Sequence, residues 1–438
     1  MTMANAFGAA DFERLSAAEQ SMIKRREKVL GPAYRLFYER PLHFVRGDGV
    51  WLYDAEGNAY LDAYNNVASV GHGNPAVLEA ITRQAATLNT HTRYLHENIL
   101  SYAEALTSTC PDELSQVMLT CTGSEANDLA VRIARSYTGG TGIIVTAHAY
   151  HGVTATVAEF SPSLGPNVDL GRHVRTVAAP NPTLPADQIG PAFAKGVEVA
   201  INDLRRHGIK PAMLIVDTIF SSDGVIANPP GFLKPAVEAI REAGGIFVAD
   251  EVQPGFGRTG TAMWGFQRHG LVPDLVTIGK PMGNGYPVAG LIAKPEIIAE
   301  FGRKSRYFNT FGGNPVAAAA GLAVLNYIQE QDLVAHAHDV GTYMLDALDS
   351  LRNRLPAISA VRGSGLFIGA DIEDENGLSP TLAARIVNGL RERRVLISAS
   401  GPNANVLKIR PPLVFSRDNA DHFVAALEDT LGSSALNE

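Results

Sequence analysis

Two hydrophobic periodicities alternate along most of the chain. Short apolar runs at Val117–Cys121, Ile143–Thr146, Met213–Asp217, Ile246–Asp250, Leu275–Ile278 and Val288–Ala293 are separated by stretches with apolar positions every three or four residues. Continuous apolar runs predict strands buried on both faces, and the stretches between them predict helices. That alternation is the sequence form of an α/β fold: a mainly parallel sheet with helices on both sides. Behind the strand Val117–Cys121, the spacing predicts a helix over Asp128–Tyr137.

The ends of the chain read differently. Asp11 to Leu30 keeps helical spacing and stops at Gly31-Pro32, predicting a helix followed by an extended arm. Phe44 to Asp62 alternates around turn formers, predicting short antiparallel strands. Asn74-Pro75 supplies a cap and first turn for a helix from Ala76 to Leu88. Ser161 to Gly190, rich in proline and weakly periodic, reads as a long surface loop. After Asn314-Pro315 an alanine-rich helix is expected to about Gln329, with a smaller α+β unit ending near Leu431. The expected division is an N-terminal arm and small-domain segment over 1–70, a large domain over 71–325 and a C-terminal small domain over 326–438.

Composition narrows the function classes. With 438 residues, 46% of them hydrophobic, the chain can bury a large core. A net charge of −8 and a pI near 5.9 argue against nucleic acid or an anionic membrane as the main partner, but allow a small anionic ligand. The two cysteines, Cys110 and Cys121, fit neither a disulfide framework nor a zinc pattern. No apolar run reaches the ~18 residues of a membrane span, and the N-terminus lacks a basic region followed by an apolar one. A reduced, cytoplasmic protein is the expectation.

Chemistry enters at two strand ends. Ile246–Asp250 finishes on Asp250 and Glu251, and Leu275–Ile278 finishes on Gly279 and Lys280. Ligands of open α/β sheets collect at such ends, so an acid and a lysine there could share one crevice. The pair suggests pyridoxal phosphate, which needs a lysine amine to hold its aldehyde as a Schiff base and an acid to keep its ring nitrogen protonated. A nucleotide loop is excluded, because Pro281 stands where that motif wants Ser or Thr and Asp274 where it wants glycine. Gly123 and Ser124, where the Val117–Cys121 strand gives way to a helix, could present amides to an anion, although for this stretch alone a plain Ser cap with Glu125 in the first turn is the preferred reading. Tyr150 could stack on a flat ring. His148 and His151 have helical spacing for a metal pair, but no third ligand is evident and no metal is expected.

These stretches together resemble the class III aminotransferases of pyridoxal phosphate fold type I. The resemblance covers nearly the whole chain, from the GHGNP around His72 to the KIRPPL around Arg410, and TGSEAN, AYHG, ADEVQ, GKPMGNG and FNTFGGNP follow in order. It implies a large domain with a mostly parallel seven-stranded sheet flanked by helices, plus a smaller α+β domain built from both ends of the chain. It also implies that Lys280 holds pyridoxal 5′-phosphate, Asp250 pairs with the ring nitrogen and Val252 packs on the ring. Gln253 would contact the ring hydroxyl, Tyr150 would stack, and Gly123 and Ser124 would bind the phosphate. Thr310 would reach that phosphate from the neighbouring subunit of a homodimer with shared active sites.

Within the family, YNNVA at 64–68, LNTHTRYLH at 88–96, GKPMGNG at 279–285 and NVLKIRPPL at 405–413 are similar to the ethanolamine-phosphate and phosphohydroxylysine phospho-lyases. Many ω-aminotransferases of this class pair the arginine of the last motif with a glutamate that gates it. Here Ser222 stands where that glutamate would be, which leaves Arg410 for a phosphate unless Asp223 or another acid pairs with it. Asn65, Asn66 and Arg93 are further candidates to hold the substrate phosphate. The function expected is phosphate elimination from a phosphorylated amine, with an aminotransferase moving an amino group to a 2-oxo acid as the alternative.

Overall fold

Ile246–Asp250, buried at every position, runs through the central sheet as a strand covered on both faces must. Its residues alternate between two cores. Ile246 and Val248 pack with Leu129, Ile133, Met213 and Leu291, whereas Phe247 and Ala249 pack on the other side with Phe193, Leu214 and Val276. Each such side chain contributes about 1.5–3 kcal/mol by leaving water.

The computed structural model describes residues 5–433. Across the sheet the strands lie in the order Gln116–Thr120, Ala289–Ala293, Leu275–Ile278, Ile246–Asp250, Pro211–Asp217, Gly142–Thr146 and Val174–Val177. Ala289–Ala293 is antiparallel to both neighbours and the other pairings are parallel. The expected seven-stranded, mostly parallel sheet is therefore present. No helix among the described residues is long and apolar enough to cross a membrane.

Both ends of the chain meet in a second sheet. Phe44–Asp48, Trp51–Asp54 and Ala59–Asp62 form the expected antiparallel strands, and Val395–Leu396 adds in parallel, with Leu61 facing Val395. A third, antiparallel sheet joins Ile358–Ser364, Phe367–Asp374, Val406–Ile409 and Ser398–Ser400. Just past Ile409, the Arg410 amide donates to the Ala63 carbonyl at 2.9 Å, so the N-terminal segment and the RPPL stretch are laced together.

Several expected bounds move. The first helix is Ala17–Leu30, after a separate 3-10 turn at Ala9–Arg14, because Ser16 and Glu19 form a capping box. The helices near residues 76 and 315 run Pro75–Thr87 and Pro315–Glu330. Ser161–Gly190 is not one loop: Val174–Val177 is the edge strand of the central sheet, and the helix Ala186–Arg206 begins inside the stretch. Arg175 and Thr176 interrupt the apolar run of Val174–Val177, and Pro191 inside the helix hides its start.

One tight packing gives a stability prediction. Gly341, in the helix Leu333–Arg352, lies so close to the turn at Gly365 that an added Cβ would stand 2.2 Å from the Gly365 carbonyl oxygen. Alanine improves helix propensity by up to about 1 kcal/mol, but overpacking against backbone costs about 1–3 kcal/mol and outweighs it at so short a contact. Gly341→Ala should lower the midpoint of thermal or urea denaturation; an unchanged midpoint would show that the helix can slide.

Candidate active site

Asp250 leaves its strand into a cradle of donors. Its Oδ2 accepts the Asn127 amide at 3.0 Å and faces His151 Nδ1 at 2.7 Å, and its Oδ1 accepts the Val252 backbone N–H at 3.1 Å. Three groups thus fix one buried carboxylate. Glu251 points elsewhere, accepting from the Gly265 and Phe266 amides and the Thr218 hydroxyl at 2.7–2.8 Å, and burial pushes it up to about 7. Of the two acids at this strand end, only Asp250 belongs to the cavity.

Lys280 lines the same cavity from the next strand. Its φ of +25° is strained for a side-chain-bearing residue, and Pro281 disfavours ordinary helical backbone just before it. Burial, then the Arg410 charge, hold its amine below the usual lysine range, while Asp250 and Asp217 pull the other way. A less basic amine is a better nucleophile and proton acceptor near neutral pH.

On the opposite wall the helix starts earlier than expected, at Gly123 rather than Asp128, and runs to Thr138. The Thr122 hydroxyl caps the Glu125 amide at 3.1 Å, and the Glu125 carboxylate reaches back to the Cys121 amide at 2.7 Å. Glycine and serine in TGSEAN resemble loop residues, but this capping box makes them the first turn. The Gly123 and Ser124 amides therefore stand at a helix N-terminus beside the cavity. Asn127, four residues on, falls on the same helix face.

Gly152 completes that wall, with φ +141° and room for no more than hydrogen, since a Cβ would stand 2.4 Å from the Ser124 Oγ. Val252 packs within 3.2 Å of the Cβ position of Gly123. Tyr150 lines the cavity and is 38% exposed, leaving its ring free to cover a ligand. His148 and His151 lie in a loop rather than on a helix, so their expected spacing does not make a pair. His151 instead orients Asp250, and its Nε2 is buried with no partner.

Arg410 is buried and close enough to depress the Lys280 amine. Its Nη1 donates to Asn66 Oδ1 at 3.1 Å and to Gln253 Oε1, and its guanidinium lies 4.5 Å from the centre of the Tyr64 ring. Asp223 is bound instead by the Thr146 hydroxyl at 2.8 Å, so it does not pair with Arg410. Asn65 is tied to Asp62 at 2.9 Å and shapes the turn, which separates it from its neighbour Asn66.

Arg93 and Thr310 do not reach the cavity within one chain. Arg93 is exposed, stacked 3.7 Å over the Phe308 ring, and Thr310 is exposed on the adjoining loop. Two groups at the centre lie in stretches that the sequence singles out but are not among its candidate site residues. Asp217 ends the strand beside Asp250 and shares its cavity, and Lys408 is buried nearby, its amine held far below the normal range by burial and the Arg410 charge.

The donor set suits pyridoxal phosphate. One cavity gathers an amine, an oriented carboxylate, an aromatic ring and first-turn amides walled by two glycines that side chains would fill.

Comparison with known proteins agrees. The model of the class-III aminotransferases matches residues 37–431. The chain is 39% identical to an alanine–glyoxylate aminotransferase 2-like protein of Drosophila melanogaster, over 96% of this chain and 88% of that one. It is 35% identical to ethanolamine-phosphate phospho-lyase homolog 1 of Caenorhabditis elegans, over 94% of each. Among solved structures, a phospholyase from Arthrobacter in complex with phosphoethanolamine superposes with a TM-score of 0.91 at 45% identity, covering 94% of this chain and 99% of that one. The chain belongs to the class-III aminotransferase family, whose members are pyridoxal phosphate enzymes of this fold.

Proposed function

We propose that the protein is a phospho-lyase that removes phosphate from a phosphorylated amino alcohol such as O-phosphoethanolamine, with water giving an aldehyde, ammonia and inorganic phosphate. The observation that carries this reading is Arg410: a buried guanidinium beside Lys280 whose partners are neutral amide oxygens and whose Nε has no acceptor among the described residues. A buried cation without a counter-charge is costly, and an oxyanion relieves that cost. The phospholyase and phospho-lyase homolog among the relatives support a phosphate over other anions.

In this reading Lys280 tethers the cofactor, Asp250 keeps the proton on its ring nitrogen, and Gly123 and Ser124 hold its phosphate. Val252 and Tyr150 cover the ring, and the second N–H of the Gln253 amide serves the ring hydroxyl. When bound, the cofactor supplies an electron sink for the charge left as the carbon beside the substrate nitrogen loses a proton. The Lys280 amine would take that proton. Arg410 holds the phosphate on the neighbouring carbon and stabilises it as it leaves with the C–O bonding electrons. Asn66 orients the guanidinium for that contact.

We also infer a homodimer. Leu95 is 97% exposed and Phe311 70%, with Tyr94, Leu88 and Phe308 nearby on the loops that carry Arg93 and Thr310. A second copy covering these side chains would bury the patch and bring Thr310 to its neighbour's cavity.

The aminotransferase reading is favoured by the Drosophila relative, whose name is that of an aminotransferase. One experiment separates the two: incubate the holoenzyme with O-phosphoethanolamine and no keto acid, then assay phosphate and acetaldehyde. Release in equal amounts supports the lyase; strict dependence on pyruvate or 2-oxoglutarate would overturn it.

A further inference from the structure

We propose that Ser221 and Asp217 are positioning residues that fix the orientation of the Gln253 amide and thereby keep Arg410 open to an incoming oxyanion. The inference rests on the reading of Arg410 as the substrate's anion site and says what maintains it.

The polarity of the chain follows from proton counting. Asp217 Oδ2 accepts both the Ser221 hydroxyl and, at 3.1 Å, the Ser221 amide, while its Oδ1 accepts the Ile219 amide at 3.1 Å. A hydroxyl has one proton, and Ser221 spends it on Asp217, so its oxygen can only accept from Gln253. The Gln253 amide nitrogen duly donates to Ser221 Oγ at 2.6 Å, which turns the amide oxygen toward Arg410 Nη1. Reversed, the amide would oppose its own N–H donors to those of the guanidinium. The Ser221 backbone is held as well, since the Ser400 hydroxyl donates to its carbonyl at 3.0 Å.

The relay has an electrostatic result. Asp217 is linked to Arg410 through three hydrogen bonds rather than facing it, so among the described residues no carboxylate in direct contact neutralises the guanidinium. Both neutral oxygens crowd on Nη1, and the buried Nε is left without an acceptor. A ligand with two oxygens can engage the Nε side as a fork without displacing Gln253.

The test uses the holoenzyme, titrating inorganic phosphate by calorimetry and measuring steady-state kinetics with O-phosphoethanolamine. Ser221→Ala should weaken phosphate binding about tenfold, the effect of losing one charge-assisted contact, and raise KM alike. The cofactor should stay bound and kcat should move less than KM. Ser221→Thr, which restores the hydroxyl, should recover the affinity. Asp217→Asn, a second route if the alanine variant fails to fold, should weaken phosphate similarly, because its amide can donate to Ser221 and reverse the relay. Gln253→Glu should weaken phosphate most, since its carboxylate would neutralise Arg410.

Phosphate affinity within about twofold of wild type in Ser221→Ala and Asp217→Asn, a difference too small for a lost hydrogen bond, would overturn the relay. A lower melting temperature with unchanged affinity would do the same. Arg410→Gln separates the levels: if it loses phosphate binding while the Ser221 and Asp217 variants keep it, only the relay fails. If it keeps phosphate binding, or if the wild type binds none, the anion site itself fails and the relay with it.

Discussion

Lys280→Ala is expected to remove turnover and the visible absorbance of the bound cofactor together. The residue has two tasks in the proposed mechanism, covalent attachment and proton removal. General acid–base catalysis alone contributes about 10²–10⁴-fold, so loss of both should bring kcat down by about four orders of magnitude or more. The fold should survive, because the substitution removes a cation that Arg410 already disfavours and leaves the Leu275–Ile278 strand and the Pro281 turn in place. Absorbance spectroscopy, a phosphate assay and circular dichroism on one sample decide the matter. Turnover within about tenfold of wild type would assign proton transfer to another group, because such a loss is below the usual general-base contribution.

Arg410→Gln should have the second largest effect and a different signature. Truncating one partner of a buried, charged contact typically costs about 2–5 kcal/mol, so kcat/KM for O-phosphoethanolamine should fall by roughly 30- to 5,000-fold. The cofactor absorbance should persist, since the cradle at Gly123, Ser124 and Gly152 and the Asp250 contacts do not include Arg410. Arg410→Lys should not restore the rate. An ammonium cannot offer the planar fork, and its charge is more strongly hydrated, so burying it costs more. Unchanged KM and kcat for the phosphorylated amine in either variant would remove Arg410 from the site.

The part of this architecture visible in the sequence was the part governed by local pattern. Short apolar runs such as Ile246–Ala249, bounded by Gly244-Gly245, read as covered strands, and the residues that end them, Asp250 and Lys280, then fall at one rim of the sheet. What stayed hidden depends on long-range approach. Gln253 and Arg410 are 157 positions apart and Asn127 and Asp250 are 123 apart, and no periodicity reports such a meeting. The role of His151 is likewise hidden, because its contact with Asp250 spans 99 positions and its spacing from His148 has no helical meaning in a loop. Val174–Val177 shows no apolar run because a strand at the sheet's edge can carry the polar Arg175 and Thr176. The early start of the Gly123–Thr138 helix was legible in Thr122 and Glu125, had the capping box outweighed the glycine between them.

The sheet that joins Leu61 to Val395 has a consequence for how such an enzyme can change. In the proposed mechanism the bond-making amine and the cofactor's cradle come from the middle of the chain, from Gly123 to Lys280, while the proposed anion site, Asn66 and Arg410, comes from segments far to either side that are laced to each other at Ala63. Diversification of substrate choice can therefore proceed by altering head and tail as a matched set, with the catalytic engine inherited untouched. Grafting only one of these extremities from a relative would leave half a recognition element, whereas exchanging both should transfer it whole.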